Sequence, residues 1–171
     1  AQQKFIDNFF GILSYTFFYS EFSSGNNTSF KPSLWDSRHL ISLTTSYKLK
    51  KNWEIGARYR FSGNTPFVPT NEAETLINYP QIILDYDRLG RERLNNFSQL
   101  DIRIDKRYNF KKFSLNIFIE AQNALVQEIP TAPNFGLARD NDGNILNPRS
   151  LSSLTTSNNR IVPSIGIVAD F

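Results

Sequence analysis

The sequence predicts an all-β fold: an up-and-down, antiparallel run of strands of the transmembrane-barrel type. Three observations predict it. Apolar and polar residues alternate with a period of two in several segments, tight and long connections alternate between those segments, and no apolar run reaches the roughly 20 residues that a membrane-spanning helix needs. The chain also has 15 Phe and 7 Tyr but a slightly polar mean hydropathy of -0.38, which such alternation explains.

The clearest strand runs from Leu100 to Asp105, where even positions are aliphatic and odd positions are charged. The same period predicts strands at residues 53–62, 115–122 and 160–171, and less clearly at 9–17 and 41–49. Phe118 is the one apolar residue on the polar face of its segment. The alternation therefore predicts six strands, and no segment predicts a helix.

The connections are tight at residues 50–52 and 109–112 and long at residues 22–35, 63–96 and 126–158. Bacterial outer-membrane barrels combine short periplasmic turns with long extracellular loops. We therefore expect the bacterial outer membrane, with the long loops outside and the tight turns and the C-terminus in the periplasm. Six aromatic residues at the tight-turn ends are expected to form an interfacial girdle: Tyr47, Trp53, Tyr108, Phe110, Phe113 and Phe171.

A sheet in hydrocarbon must close, because each backbone group at an open edge costs several kcal/mol. Single-chain barrels begin at about 8 strands, so six strands cannot close alone. We therefore expect residues 1–171 to be the C-terminal part of one larger barrel domain, with the other strands upstream. Residues 1–4 fit the end of a preceding strand that enters a turn at residues 5–8. The alternative is one barrel built from several six-stranded copies.

Five stretches carry a resemblance to a known family in their order and spacing. They are Gln2-Gln3-Lys4 followed by residues 11–16; residues 36–39 before a strand; residues 57–63 with Pro66 just after; residues 99–106; and residues 120–124, matched by the ending at residues 163–171. Over nearly its whole length the chain resembles the C-terminal barrel of TonB-dependent receptors of the Bacteroidetes type.

The resemblance implies a barrel of about 22 strands, plugged by a separate N-terminal domain. It implies import of a scarce ligand, such as a siderophore, cobalamin, a glycan or a peptide, with energy from the TonB complex. The implied partners are outer-membrane lipid and lipopolysaccharide, the chain's own plug and preceding strands, the TonB complex through an upstream N-terminal region, and a surface lipoprotein. Nucleic acid is not among them, because the net charge of +3 is dispersed along the chain.

The C-terminal residues have an implied role in assembly. In the family, a terminal aromatic residue with apolar alternation behind it is the signal that the barrel assembly machinery reads. Here the matching residues are Phe171, with Ala169, Ile167 and Ile165 as the supporting face. The alternative for Phe171 is a girdle aromatic alone.

Charged residues on three consecutive strands are predicted to face the barrel interior as a lattice of ion pairs that contacts the plug. They are Glu54, Arg58, Arg60, Asp101, Arg103, Asp105 and Glu120. The interspersed arginines favour this lattice over acid-base catalysis. Five residues of the second long loop are candidates for contact with ligand or with lipopolysaccharide: Tyr79, Tyr86, Arg88, Arg91 and Arg93.

No enzyme, cofactor or metal site is predicted, because the chain has one His and no Cys. His39 is interpreted as the start of a strand. Residues 140–144 contain part of a calcium-loop pattern, but the Asp142-Gly143 pair favours a tight hairpin turn. The alternatives to a transporter are a barrel that docks a surface complex without transporting, an outer-membrane enzyme, and a soluble β-sandwich lectin.

Overall fold

The computed structural model describes residues 2–23, 25, 29–154 and 158–171, with the side chains of residues 2–6 excepted. Half of the chain is in strands. The strands are β1 (Gln2–Ile6), β2 (Phe9–Phe17), β3 (Glu21–Phe22), β4 (Lys31–Pro32), β5 (His39–Leu49), β6 (Trp53–Ser62), β7 (Phe97–Asn109), β8 (Ser114–Gln122), β9 (Asn134–Leu137), β10 (Leu151–Leu154) and β11 (Val162–Asp170).

One large antiparallel sheet holds seven of these strands in the order β1-β2-β5-β6-β7-β8-β11. The predicted antiparallel meander is confirmed, and six of its strands are those that the alternation marks. The seventh, β1, lies where the sequence indicates the end of a preceding strand. The sheet is open in the part of the chain that the structure describes: β1 pairs only with β2, and β11 pairs only with β8.

The long connections contain a helix and two pairs of short strands that the sequence pattern does not predict. Helix α1 (Glu72–Asn78) lies in the second long loop, and the Asn71 side chain caps it by accepting a hydrogen bond from the Glu74 amide at 3.2 Å. The prediction of no helix is wrong here, because seven residues are too few for a helical period to be recognised. The pairs β3–β4 and β9–β10 are hairpins within the first and third long loops.

The strand register separates two faces, because residues opposite each other in an antiparallel pair point to the same side. One row on the apolar face crosses six strands without interruption: Phe9, Tyr47, Ile55, Ile104, Ile119 and Ile165. The neighbouring row on the other face contains Ser46, Gly56, Arg103, Glu120 and Ser164. The alternation seen in single segments therefore continues across the whole sheet.

The distribution of buried residues is the reverse of that in a soluble domain. Within the described residues, Leu89 is the only leucine, isoleucine, valine or aromatic residue that is buried, whereas Asp36, Thr75 and Asp101 are buried polar residues. On the apolar face, Ile165 is 74% exposed and Ile119 is 58% exposed. None of the described helices is long and apolar enough to cross a bilayer.

Candidate functional site

The polar face of the sheet is concave and borders an open cavity of about 1010 Å³. Strands β2, β5 to β8 and β11 supply its walls, and all of the predicted inward charges except Arg60 line it. The structure joins six of the seven predicted charges in ion pairs, in two groups. One group is centred on Asp101 and the other on Arg103.

Asp101 is the most connected residue of this face. Its carboxylate accepts hydrogen bonds from the Arg58 guanidinium at 2.9 Å, from Arg60 at 3.4 Å and from the Gln99 amide at 2.7 Å. The backbone N–H of Asn123 donates to it at 3.1 Å. The side chain is only 4% exposed. Asp101 therefore ties β6 and β7 to the residue that follows β8.

Arg103 forms the second group. Its guanidinium donates to Asp105 on the same strand at 2.8 Å and lies 3.9 Å from Glu120 on β8. Asn116 also donates to Asp105, at 2.7 Å. Charges thus pair along β7 as well as across the sheet, and the alternation pattern predicts only the pairs across the sheet.

Phe118 has a specific place on the polar face. The Arg103 guanidinium stacks over its ring, 3.7 Å from the centroid. Gly166 lies directly opposite Phe118 on β11, and a Cβ at Gly166 would overlap the ring. Phe118, the one apolar residue on the polar face of its segment, therefore covers Gly166 and stacks under the Arg103 guanidinium.

Glu54 is the predicted lattice member that the structure does not join. It lies opposite Asp105 in the register, and its charge acts on Arg103, but it forms no ion pair within the described residues. Arg60 contacts Asp101 through one guanidinium nitrogen, but its buried Nε has no hydrogen-bond partner within the described residues. The lattice is thus complete around Asp101 and Arg103 and weaker at its margins.

The first two long loops are held together by Asp36 and Arg93. Arg93 donates to the Asp36 carboxylate at 2.6 Å and to the Asp36 backbone carbonyl at 2.7 Å. The Ser20 amide donates to the same carboxylate at 3.1 Å. Pro32 of β4 packs against Gly90, whose φ of 84° suits glycine, and a Cβ there would overlap the proline ring. These contacts make one packed unit of the two loops.

The Asp36 carboxyl has a lowered pKa. Burial alone would raise that pKa, but the hydrogen bonds from Arg93 and Ser20 and the charges of Arg93 and Arg38 outweigh burial. A group with a lowered folded-state pKa contributes stability above its unfolded-state pKa, about 3.9 for Asp. That contribution disappears as the pH falls through the lower, folded-state value.

We expect the contact between the two loops to be constant from about pH 5 to 8 and to open as the pH falls below about 4. Hydrogen–deuterium exchange protection of residues 18–20 and 63–65 measures it. In Asp36→Asn the protection should be lower at neutral pH and lose its acid dependence. Asp142→Asn, at an exposed carboxylate of the third long loop, serves as the control. If protection in Asp36→Asn fell with acid as much as it does in the wild type, the Asp36 carboxylate would not be the group that holds the two loops together.

The five ligand-loop candidates divide between structural and exposed positions. Arg93 holds the loop contact, and Arg88 pairs with Glu92 four residues later in the same loop. Tyr86 is 63% exposed and Tyr79 is 38% exposed, and Arg91 is exposed as well. These last three keep side chains that a ligand can reach.

A cavity lies between the second and third long loops, and the sequence pattern does not predict it. It measures about 630 Å³, and Phe67, Arg93 and Asn96 line it from one loop, with Gln127 and Pro130 from the other. Of the five candidates, only Arg93 reaches it. Nothing in the pattern of either loop indicates that the two come together, because their contact depends on the strand order.

The C-terminal residues lie at the edge strand β11. Ile165 and Ile167 are 74% and 66% exposed on the apolar face, and Ala169 lies opposite Leu115. Phe171 lies one residue beyond the strand, is fully exposed, and has its ring centroid 6.0 Å from that of Phe113. The apolar alternation thus continues to the last strand residue.

His39 and residues 140–144 have structural roles. His39 begins β5, as predicted, and its Nδ1 lies 2.9 Å from the Tyr15 hydroxyl. Residues 140–144 form the predicted tight turn, in which the Asp140 carboxylate accepts from the Asn144 amide at 2.8 Å and Gly143 has a φ of 86°. No group of three or more potential metal-ligating His, Cys, Asp or Glu residues occurs in the described ranges.

Comparison with protein-family models, with curated proteins and with solved structures gave no match for this chain. The proposals on function therefore depend on the two faces of the sheet, on the loops and on the residues themselves.

Proposed function

We propose that these strands belong to a bacterial outer-membrane β-barrel and that the apolar face contacts lipid. The observation that carries the proposal is the reversed distribution of residues: an unbroken apolar row is exposed, while Asp101 and its partners occupy the concave face. Exposed aliphatic surface is unfavourable in water by about 25 cal/mol per Å². Acyl chains solvate the same surface without that cost, and the strands pair the backbone groups with one another.

The two open edges support a larger barrel. Within the described residues, β1 and β11 each pair on one side only, and unpaired backbone groups in hydrocarbon cost several kcal/mol each. Further strands of the same barrel would pair with both edges and close it. The long loops then lie on the extracellular side and the tight turns in the periplasm, as in bacterial barrels generally.

For the activity, we propose TonB-dependent import of a scarce ligand. The support is the resemblance of the five sequence stretches, together with a charged concave face that suits contact with a polar plug domain. Ligand capture falls to exposed loop residues such as Tyr86 and Arg91, and the reaction involves no bond chemistry. A siderophore, cobalamin, a glycan and a peptide all fit this class of transporter.

The second candidate is a barrel that docks a surface complex without transporting. The packing of the first two long loops through Asp36 and Arg93 favours it, because a fixed outer surface suits a bound surface lipoprotein. The two candidates share the barrel and differ only in energy-dependent uptake.

Two measurements on the full-length protein test these proposals in order. Electrophoresis of the detergent-extracted protein with and without heating, combined with its intact mass, should show a heat-modifiable chain several times larger than 19.7 kDa. An intact mass of only 19.7 kDa would contradict the proposal of a large receptor. Uptake of the ligand by cells, measured as depletion of solutes from the medium, should then require both this protein and TonB. Depletion that needs neither would favour the docking barrel.

A further inference from the structure

Five lysines gather at the tight-turn end of the sheet. Lys50 and Lys51 form the turn between β5 and β6, Lys106 lies near the end of β7, and Lys111 and Lys112 form the next turn. None of the five is in an ion pair with a described carboxylate. This group, which we call the lysine cluster, is therefore an uncompensated positive surface.

The carboxylates closest along the strands line the cavity on the polar face, and one of them, Glu54, forms no ion pair within the described residues. Asp105 pairs with Arg103, and Asp170 lies 3.5 Å from Arg107, both on the polar face. At the opposite end of the sheet the loops carry charges of both signs, and the ion pairs there include Lys31 with Asp87 and Arg93 with Asp36. The excess of positive charge is thus a property of the tight-turn end.

Lys106 places part of this charge on the apolar face. It lies opposite Trp53 in the register, two residues after Ile104. Its Nζ is 5.0 Å from the centre of the Trp53 ring and 5.4 Å from that of Tyr108, and it donates to the backbone carbonyl of Lys51. An apolar stem with its ammonium group turned toward the end of the strand is the arrangement of a lysine at a membrane boundary.

Aromatic residues mark the same level of the sheet. Trp53 and Tyr108 are 43% and 44% exposed on the apolar face, and the rings of Phe110 and Phe113 stack at 4.6 Å in the next turn. Aromatic side chains with a polar end prefer the headgroup region of a bilayer. With the apolar face in a bilayer, the lysines beside and beyond them would lie at the depth of the lipid phosphates.

We propose that the lysine cluster binds the phosphates of anionic phospholipids in the leaflet on the tight-turn side. The inference rests on the proposed function, since it needs the apolar face in a bilayer. Anionic lipid is the occupant because the cations are unmatched by protein carboxylates and adjoin a lipid-facing aromatic belt. An acidic periplasmic protein would not require Lys106 on the apolar face.

The test uses the full-length protein, delipidated in detergent and titrated with phosphatidylglycerol or phosphatidylcholine, with bound lipid counted by native mass spectrometry. The wild type should retain phosphatidylglycerol in preference to phosphatidylcholine. Lys111→Gln with Lys112→Gln should reduce phosphatidylglycerol affinity about tenfold or more, since each lysine near an anionic surface contributes about fivefold. Arg149→Gln with Arg160→Gln removes the same charge from the connections before and after β10, and should change the affinity less than about twofold.

Equal loss in both double variants, or no preference for phosphatidylglycerol in the wild type, would overturn the lipid site. The same samples are run with and without heating. If the protein is not heat-modifiable, the membrane proposal fails first. If it is heat-modifiable but shows no lipid preference, only the lysine cluster inference fails. Loss of a co-purifying acidic protein from the lysine variant, with lipid binding unchanged, would replace lipid by protein as the occupant.

Discussion

Replacing Leu43 with arginine should lower the free energy of unfolding of the membrane-embedded, full-length protein by about 2–4 kcal/mol. Leu43 lies near the middle of β5 on the apolar face, between Leu13 and Tyr59 in the register. If this face contacts acyl chains, a guanidinium there must be desolvated or must distort the bilayer. Urea unfolding in lipid vesicles, followed by loss of the heat-modifiable species, measures the effect.

Ser46→Arg is the matched control for Leu43→Arg. Ser46 is on the same strand but on the polar face, opposite Gly56, which has no side chain to obstruct the arginine. We expect its free energy of unfolding to change by less than about 1 kcal/mol, because polar-face substitutions in barrels remain in contact with water. Equal effects of the two variants would mean that the apolar face is not in lipid.

Replacing Asp101 with asparagine should cost about 3 kcal/mol of unfolding free energy, near the low end for breaking a buried ion pair. The change removes the negative charge that Arg58 and Arg60 share and weakens the anchor of the Asn123 amide. The two arginines are 47% and 42% exposed, so water compensates them in part. The same unfolding measurement applies, and exchange at residues 123–127 should rise.

Asp170→Asn tests whether the burial of Asp101 is the cause of the large cost expected for Asp101→Asn. Asp170 pairs with Arg107, but both side chains are more than half exposed, at 64% and 54%. Exposed pairs contribute less than about 1 kcal/mol, so this variant should be nearly neutral. A similar cost for both variants would indicate that general charge balance, and not the Asp101 network, stabilises the sheet.

Strands and faces were predictable because they depend on local alternation. Leu100 to Asp105 shows the two faces of β7 within six residues, and the register then extends them across the sheet. The tight turns are equally local: Lys51 and Asn52 adopt positive φ values of 59° and 58° in the first of them. Short-range pattern therefore suffices for the meander and for the assignment of charges to one face.

The loops were not predictable in the same way. The seven residues of α1 give no recognisable helical period, and the contact between Asp36 and Arg93 joins residues 57 apart in sequence. The role of Gly166 depends on Phe118 across the sheet, which becomes visible only once the register is known. Contacts that require the strand order, such as the cavity between the second and third loops, have no local signature.

The most direct test of the central claim is a spin-label scan along β8 (Ser114–Gln122) in the full-length protein embedded in lipid vesicles. Single labels report collisions with oxygen, which concentrates in lipid, and with a water-soluble nickel complex. We expect oxygen accessibility to peak at Leu115, Ile117, Ile119 and Ala121, with the nickel complex favouring the alternate positions. Low accessibility of Ile117 and Ile119 to both reagents would mean that protein covers the apolar face, and would contradict the membrane barrel.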